Sequence, residues 1–198
     1  MKENNWFDPF YIQSHLSEEE SNIQKNVRDF CNNELKPTVV ERNRKNEFDQ
    51  SLYPKFGSLG VLGQTVKTHG GSGTSNLAYG LVAYEFEKID SSYRSSISVQ
   101  SSLVIHPINE FGSQEQKDKY LPQLIKGEKI GCFGLTESEA GSDPASMKTS
   151  FKKTKDGYIL NGSKNWITNA PIADIFIIWA IEENKDHKSI KGFIIEKN

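Results

Sequence analysis

The spacing of the apolar residues changes near Gly127, and this change constrains the fold more than any other feature of the sequence. Before Gly127, apolar residues recur every three or four positions, as Val27 and Cys31 do, which is typical of one face of a helix. After it, short apolar segments are separated by Gly, Asn, Asp and Lys, which is typical of strands and turns. The sequence therefore predicts an α+β chain, with a helical domain over residues 1–128 followed by a β domain over residues 129–198.

Local signals predict individual elements. Ser17 and Glu20 form a capping-box pattern, so a helix is expected to begin there and to continue for about five turns. Asp90 is expected to cap a Ser-rich helix from about Tyr93 to His106, and small polar residues on a buried helix suggest close approach to a ligand or another backbone. Two further helices are predicted, one starting near Ser113 and a short one over 122–127. Six segments are predicted as strands: 130–136, 149–154, 158–161, 164–168, 175–181 and 192–196.

The charge balance and the apolar runs exclude several classes of partner. The formal net charge is −2, from 24 Lys and Arg against 26 Asp and Glu, so no polycation is present for nucleic acid or anionic lipid. No apolar run approaches the roughly twenty residues of a membrane span, and the first residues lack a secretory or Arg-rich leader pattern. The chain is therefore expected to be cytosolic, or a mature form already processed, with no nucleic-acid or membrane partner.

The cysteines and histidines give no metal or disulfide pattern. Cys31 and Cys132 fall in different predicted elements and have no metal-ligand spacing, and the four histidines are scattered along the chain. Both cysteines are expected to be small buried residues of a protein in a reducing compartment. No metal site is predicted.

The run Cys132–Asp143, CFGLTESEAGSD, contains the residue types that a flavin site needs. A short apolar strand delivers Thr136 to a turn in which Gly141 and Ser142 bring backbone N–H groups close to a pyrophosphate, as in an anion-binding nest. Trp166 offers a flat face for an isoalloxazine ring. Taken singly, the turn is a common one and the tryptophan is an ordinary core residue. Together they favour a flavin-binding platform.

This run and Asn165–Thr168, NWIT, together resemble the signature of the acyl-CoA dehydrogenase family, whose members use FAD to desaturate acyl-CoA thioesters between Cα and Cβ. Within the family the chain is most similar to glutaryl-CoA dehydrogenases, through Tyr93–Val104, YRSSISVQSSLV, and Phe111–Thr136. The resemblance covers essentially the whole chain, but the family's proteins are longer. It therefore implies that residues 129–198 form an incomplete, truncated antiparallel β-barrel-like domain.

The resemblance also implies which residues contact the cofactor. The Thr136 hydroxyl and the backbone before it are expected on the flavin ring, Ser142 between pyrophosphate and substrate, and Thr168 near the flavin N5. Ordinary strand threonines are the alternative for Thr136 and Thr168. The implied FAD-binding residues are Phe133, Gly134, Leu135, Thr136, Gly141, Ser142, Trp166, Ile167 and Thr168.

Arg94 is the residue expected to select the substrate. A guanidinium at a helix start beside Ser95 is suited to hold a terminal carboxylate through two parallel hydrogen bonds, and the resemblance implies an Arg–Ser pair here. Glu87 is expected to orient Arg94, and Ser98 and Val99 to follow on the pocket side. An ordinary solvated arginine is the alternative. The implied substrate-binding residues are Arg94, Ser95, Ser98, Val99 and Ser142, with Glu87 behind Arg94.

No catalytic residue is expected within the chain. In the family the base that removes the α-proton is usually a glutamate of the C-terminal helical domain, which would lie beyond Asn198. Glu137 and Glu139 are near the flavin motif but are expected on the wrong side of the turn. Ser138 stands where the family usually has proline, which is expected to loosen the turn slightly.

The activity implied by the resemblance is oxidation and decarboxylation of glutaryl-CoA to crotonyl-CoA, as in lysine and tryptophan degradation, with electrons passed to an electron-transfer flavoprotein. A homotetramer is implied for the complete protein, in the cytoplasm of a bacterium or the mitochondrial matrix of a eukaryote. Two alternatives stay open: a dehydrogenase of fatty acid metabolism for another short-chain acyl-CoA, and a truncated, non-catalytic paralogue that acts as a binding or interaction module. The isolated chain is expected to bind FAD weakly and to be inactive.

Overall fold

The described part of the chain begins with helices and ends with strands. The computed structural model describes residues 8–197. The α-helices are α1 (Glu18–Phe30), α2 (Val39–Lys45), α3 (Leu52–Ser58), α4 (Asn76–Glu87), α5 (Ser91–Ser98), α6 (His106–Phe111) and α7 (Gln114–Ile125). The strands are β1 (Gly131–Gly134), β2 (Ser150–Thr154), β3 (Gly157–Asn161), β4 (Ile175–Glu182) and β5 (Lys191–Glu196). This order confirms the predicted α+β class, and the predicted boundary between residues 128 and 129 falls in the link between α7 and β1.

The first helix begins at the predicted capping box. The Glu20 amide donates to Ser17 Oγ (3.2 Å), and the Ser17 amide donates to Glu20 Oε2 (3.0 Å), so two N–H groups at the helix start are satisfied reciprocally. A π-helical turn, Cys31–Leu35, prolongs α1. Both end residues of that turn are buried, as the predicted apolar face requires.

The Ser-rich helix is longer than predicted. A π-helical turn, Val99–Ile105, joins α5 to α6, so helical backbone continues from Ser91 to Phe111 and passes Pro107. A wider π turn changes the hydrogen-bond pattern just before the proline, which has no N–H to donate. The π turn follows directly on the part of α5 that carries the predicted substrate residues.

Pro122 lies inside α7, so the prediction of a separate short helix over 122–127 is wrong. A proline in a helix interior costs about 3 kcal/mol. The buried side chains of Leu121, Leu124 and Ile125 each contribute roughly 1.5–3 kcal/mol when removed from water. Packing of this last turn therefore outweighs the lost backbone hydrogen bond.

The sheet is open, as expected of an incomplete barrel-like domain, but it is mixed rather than antiparallel throughout. β2 and β3 pair antiparallel across the predicted hairpin turn Lys155–Gly157, and β4 and β5 also pair antiparallel. However, β4 pairs parallel with both β1 and β2. Parallel neighbours need a long crossover connection, and residues 135–174 provide one between β1 and β4. The local alternation of apolar and polar residues does not indicate which distant strand will pair with β4, or in which direction.

One apolar core extends from the helices to the sheet. Ile130, Ile175 and Ile177 are buried in the same cluster as Ile105 and Leu121 of the helical part. Burial of the two cysteines raises the pKa of Cys31 to about 12 and that of Cys132 to about 11, and neither forms a disulfide. They are packing residues, as predicted.

Two amide side chains, one buried and one half-buried, attach β1 to the helices. Gln100 is fully buried; its Nε2 donates to the carbonyls of Leu124 (3.0 Å) and Lys129 (2.9 Å), and its Oε1 accepts from the Gly131 amide (2.7 Å). Asn169 Nδ2 donates to the Gly131 carbonyl (3.2 Å). Both backbone groups of Gly131 are therefore held by side chains from other segments.

Two features are absent from residues 8–197. No helix among them is both long enough and apolar enough to span a bilayer. None of their His, Cys, Asp and Glu side chains form a group of three or more that could hold a metal ion.

Replacing Gln100 should strongly destabilise the fold. Gln100→Leu removes three hydrogen bonds and leaves the Lys129 carbonyl and the Gly131 amide without the partner they have in Gln100, whereas the Leu124 carbonyl keeps the Gly127 amide (3.2 Å). The free energy of unfolding should therefore fall by about 3 kcal/mol. Gln123→Leu is the control, because the exposed Gln123 side chain makes one hydrogen bond, to the Lys119 carbonyl. Urea unfolding of both variants measures the difference. Equal, small losses would show that the Gln100 bonds do not attach β1 to the helices.

Candidate active site

The two motif segments lie side by side. The Asn165 amide donates to the Thr136 carbonyl (2.9 Å), so the loop 162–169 runs next to the segment that leaves β1. Asn165 Nδ2 also donates to Ser138 Oγ (2.7 Å). The Ser138 hydroxyl therefore ties the turn to the loop, and the expectation that serine in place of proline loosens the turn slightly stays a prediction.

Trp166 is in a loop, and the predicted strand over 164–168 does not form. The residue has a left-handed backbone (φ 58°), which a strand cannot contain, and its side chain is 93% exposed. Trp166 therefore lies outside the core of residues 8–197. An indole in this position presents a free aromatic face beside Thr136.

The turn between Glu137 and Ala140 is closed by two reciprocal backbone hydrogen bonds of 3.1 and 3.2 Å. Gly141 and Ser142 follow on its exposed side. A side chain at Gly141 would meet no described atom within 4 Å, so the space above this backbone is open. Backbone N–H groups in such a position can approach a phosphate closely.

A buried ion pair holds the turn and the loop together. Lys164 Nζ bonds Glu137 Oε1 (2.8 Å) and the Leu135 carbonyl (2.9 Å), and both side chains are less than one tenth exposed. The Glu137 carboxylate also accepts from the amides of Lys148 (2.6 Å) and Thr149 (3.0 Å). The three segments that surround the motif are thus joined at one carboxylate.

A lowered pKa makes each glutamate of the motif a weak base. Burial by itself raises the pKa of Glu137, but the hydrogen bonds from Lys164, Thr149 and Lys148 outweigh it and lower the pKa to about 2. Glu139 is exposed and forms an ion pair with Lys148, which lowers its pKa as well. These two carboxylates remain ionised and occupied.

Asn169 brings the loop against α5. Its Nδ2 donates to the Ser96 carbonyl (3.3 Å), and its Oδ1 accepts from Ser96 Oγ (3.0 Å). The buried Tyr53 hydroxyl in turn bonds Ser96 Oγ (2.6 Å). Thr168 and Ser95, predicted to serve cofactor and substrate respectively, consequently border one cavity of about 300 Å³. The other lining residues are Phe48, Ser92, Ser96, Asn169, Pro171 and Ile172.

Arg94 is held by the predicted partner. Its Nε donates to Glu87 Oε2 (2.7 Å), and Ser91 Oγ donates to Glu87 Oε1 (2.6 Å). The hydrogen bond from Ser91 has the larger effect on the pKa of Glu87, and both bonds lower it. Within residues 8–197 the two terminal nitrogens of Arg94 have no hydrogen-bond partner. The guanidinium is therefore oriented at one edge and free at the other.

The remaining predicted substrate residues do not lie together. Ser98 Oγ accepts from the Tyr79 hydroxyl (3.3 Å) and borders a small second cavity with Arg94. Val99 is buried, and Ser142 is exposed on the turn; neither borders either cavity.

Sequence reasoning missed the residues that position the site. Lys164 gave no signal, since a lysine is ordinarily solvated and only its buried contacts reveal its role. Asn169 has a left-handed backbone (φ 69°), which asparagine tolerates better than most residues, so its position after the motif was a usable hint.

The Glu137–Lys164 pair should make stability depend on acid pH. Because the pKa of Glu137 falls from 4.5 to about 2 on folding, its contribution is complete above pH 4.5 and is lost as the pH decreases toward 2. Glu137→Gln should lower the free energy of unfolding by about 3 kcal/mol at neutral pH, since Lys164 stays buried without its partner. Its stability should then change less than the wild type's on acidification. Urea unfolding across this pH range measures both effects.

Glu139→Gln is the matched control, because Glu139 lies on the same turn as Glu137 but forms its ion pair with an exposed lysine, Lys148. It should leave stability at neutral pH nearly unchanged. The same acid dependence in the wild type and Glu137→Gln would contradict the role given to the buried pair.

Comparison with known proteins agrees with this geometry. The family model "Acyl-CoA dehydrogenase, N-terminal domain" matches residues 17–128, and "Acyl-CoA dehydrogenase, middle domain" matches residues 132–198. The short-chain specific acyl-CoA dehydrogenase of Clostridium acetobutylicum is 40% identical over 185 residues, which are 92% of this chain and 49% of that protein. The mitochondrial isovaleryl-CoA dehydrogenase of Pongo abelii is 39% identical over 188 residues, 92% of this chain and 44% of that protein.

A solved structure gives the same result. The glutaryl-CoA dehydrogenase of Mycobacterium smegmatis in complex with FADH2 superposes with a TM-score of 0.90 at 41% identity, covering 94% of this chain and 47% of that one. The chain thus spans about half the length of the relatives it matches. By its two domain matches and these relatives, the chain belongs to the acyl-CoA dehydrogenase family.

Proposed function

We propose that the chain is the N-terminal and middle part of an FAD-dependent acyl-CoA dehydrogenase that oxidises and decarboxylates glutaryl-CoA to crotonyl-CoA. The observation that carries the proposal is the placement of Arg94. Its guanidinium is fixed by Glu87 at the start of α5, and Ser95 next to it borders the same cavity as Thr168. Arg94 itself borders the second cavity, together with Ser98.

The residues present fit a flavin. Trp166 offers an exposed aromatic face, and Gly141 leaves its backbone open to a phosphate. The hydroxyls of Thr136 and Thr168 make no hydrogen bond within residues 8–197 and can therefore donate to the ring. We assign FAD binding to Phe133, Gly134, Leu135, Thr136, Gly141, Ser142, Trp166, Ile167 and Thr168.

FAD, when bound, accepts the hydride that leaves the substrate Cβ as the double bond forms. The residues of this chain bind and orient the reactants. The hydrogen bonds of Asn169 hold the Thr168 loop against α5, and the Glu137–Lys164 pair holds the turn that carries Thr136. Because both motif glutamates are occupied, the base for the α-proton is proposed to come from the part of the protein that follows this chain.

A carboxylate at the far end of the acyl group explains the fixed arginine. Glu87 already pairs with one edge of Arg94, but an aliphatic acyl chain would offer no acceptor to the terminal nitrogens at the other edge, whereas a carboxylate can accept two charge-assisted hydrogen bonds from a guanidinium. The relatives act by name on short-chain and isovaleryl thioesters as well as glutaryl-CoA, at similar identity. Identity alone therefore does not choose the substrate, and Arg94 with Ser95 and Ser98 favours glutaryl-CoA.

The proposal extends to the rest of the family's chemistry. Electrons are proposed to pass to an electron-transfer flavoprotein, from a homotetramer in a bacterial cytoplasm or a mitochondrial matrix. The main competing function is a dehydrogenase for another short-chain acyl-CoA, in which Arg94 would be a surface residue. A non-catalytic binding module is less favoured, because the exposed Trp166 and the free threonines would then have no use.

Removing the Arg94 charge tests the substrate. In the full-length protein, Arg94→Gln should reduce kcat/KM for glutaryl-CoA. The reduction should correspond to about 2–5 kcal/mol of lost binding free energy, the usual cost of removing one member of a charge-assisted pair. Butyryl-CoA, which has no distal carboxylate, should be turned over almost as before. Arg42→Gln is the control, since Arg42 pairs with Asp49 and neither residue lines either cavity. Equal losses on the two substrates would refute the carboxylate contact.

Removing the Trp166 indole tests the cofactor site. Trp166→Ala should weaken FAD binding and change the visible flavin spectrum, because the aromatic wall beside the ring is lost. Phe111→Ala is the control, as Phe111 is also highly exposed (84%) but lies at the end of α6. Flavin content and absorbance of the purified proteins give the answer. An unchanged spectrum in Trp166→Ala would place the flavin elsewhere.

A further inference from the structure

Gln64 is a buried side chain with an unused donor. The residue is 2% exposed and lies between α3 and α4, where its backbone carbonyl accepts from the Thr74 amide (2.7 Å) and hydroxyl (3.1 Å). Its side-chain Nε2 is buried, and no acceptor among residues 8–197 lies within hydrogen-bonding distance. Buried amide groups are nearly always paired, so a donor left free in the fold requires a partner from outside it.

The same side chain borders the small second cavity beside Arg94. The cavity has a volume of about 10 Å³, and its polar lining residues are Gln64, Tyr79, Arg94 and Ser98. Space of this size accepts about one oxygen atom, either of a water molecule or of a ligand. The cavity is thus a notch next to the fixed guanidinium and is too small for a whole acyl group.

The polar groups around this notch are arranged to donate. Ser98 Oγ already accepts from Tyr79, so its own hydrogen is available, and the terminal nitrogens of Arg94 are free within the described residues. Glu87, the nearest carboxylate on α4, is occupied by Arg94 Nε and Ser91. Three residues with such donors line one oxygen-sized space, and several N–H and O–H donors together suit a negatively charged oxygen.

We propose that Gln64 is a specificity-determining residue whose side-chain amide donates to one oxygen of the substrate's free carboxylate, while Arg94 binds the other. The inference rests on the proposed function and adds to it a contact from a segment outside the helix that carries Arg94. A substrate that ends in a methyl group would leave Gln64 unpaired as well as Arg94. Unpaired buried donors are an effective means of rejecting such substrates.

The test is the kinetics of Gln64→Met in the full-length protein. Methionine keeps the length and the apolar stem of the side chain and removes only the amide, so the variant should fold. The kcat/KM for glutaryl-CoA should fall by about 10-fold or more, mainly through KM, while that for butyryl-CoA stays within about two-fold. Gln64→Glu should lose more on glutaryl-CoA, because its carboxylate repels that of the substrate.

A control and a double variant separate recognition from structure. Gln24→Met removes another buried amide of the helical part, bonded to Glu85, and should affect both substrates equally. In the background of Arg94→Gln, the further change Gln64→Met should cost much less than it does alone, since both residues serve one carboxylate. Independent, multiplicative losses, or equal losses on both substrates, would overturn the inference and leave the notch as a site for a buried water.

The outcome distinguishes this inference from the proposed function. If the wild type shows no preference for glutaryl-CoA over butyryl-CoA, the proposed function fails. If the wild type shows the preference and Arg94→Gln abolishes it, but Gln64→Met retains it, only the role of Gln64 fails.

Discussion

The attachment of Gly131 to the helical part is the constraint on which the rest of the structure depends. Its amide and carbonyl are taken by Gln100 and Asn169, and a Cβ at this position would lie 2.5 Å from Val104 Cγ1. Only glycine therefore allows β1 to approach the π-helical turn so closely. Asn169 belongs to the loop with Thr168, so the same contact places this loop against α5.

Besides this contact, polar side chains hold the other segments of the site in place. The Glu137–Lys164 pair holds the turn after β1, and the Glu87–Arg94 pair holds a cation at the start of α5. The two pairs differ in physical role. The first is buried and determines the backbone, whereas the second is more than one third exposed and leaves the guanidinium with free donors.

The sequence predicted what depends on local chemistry. The capping box at Ser17, the hairpin turn, five of six strands and the proximity of the two motif segments are all present. It did not predict the parallel pairing of β4, the loop conformation of Trp166 or the continuous α7 through Pro122, because each is decided by packing with distant residues. Gln64 was missed for the same reason, since nothing near it in sequence indicates a buried amide beside Arg94.

The central claim is that the protein binds a flavin against Trp166 and a thioester with a free carboxylate against Arg94. A crystal structure of the full-length protein with FAD and an unreactive carboxylate-ended acyl-CoA analogue tests it most directly. The account predicts the isoalloxazine ring on the Trp166 face, with Thr168 next to it, and the free carboxylate within hydrogen-bonding distance of Arg94. A flavin that does not contact Trp166, or a carboxylate bound away from Arg94, would contradict the account.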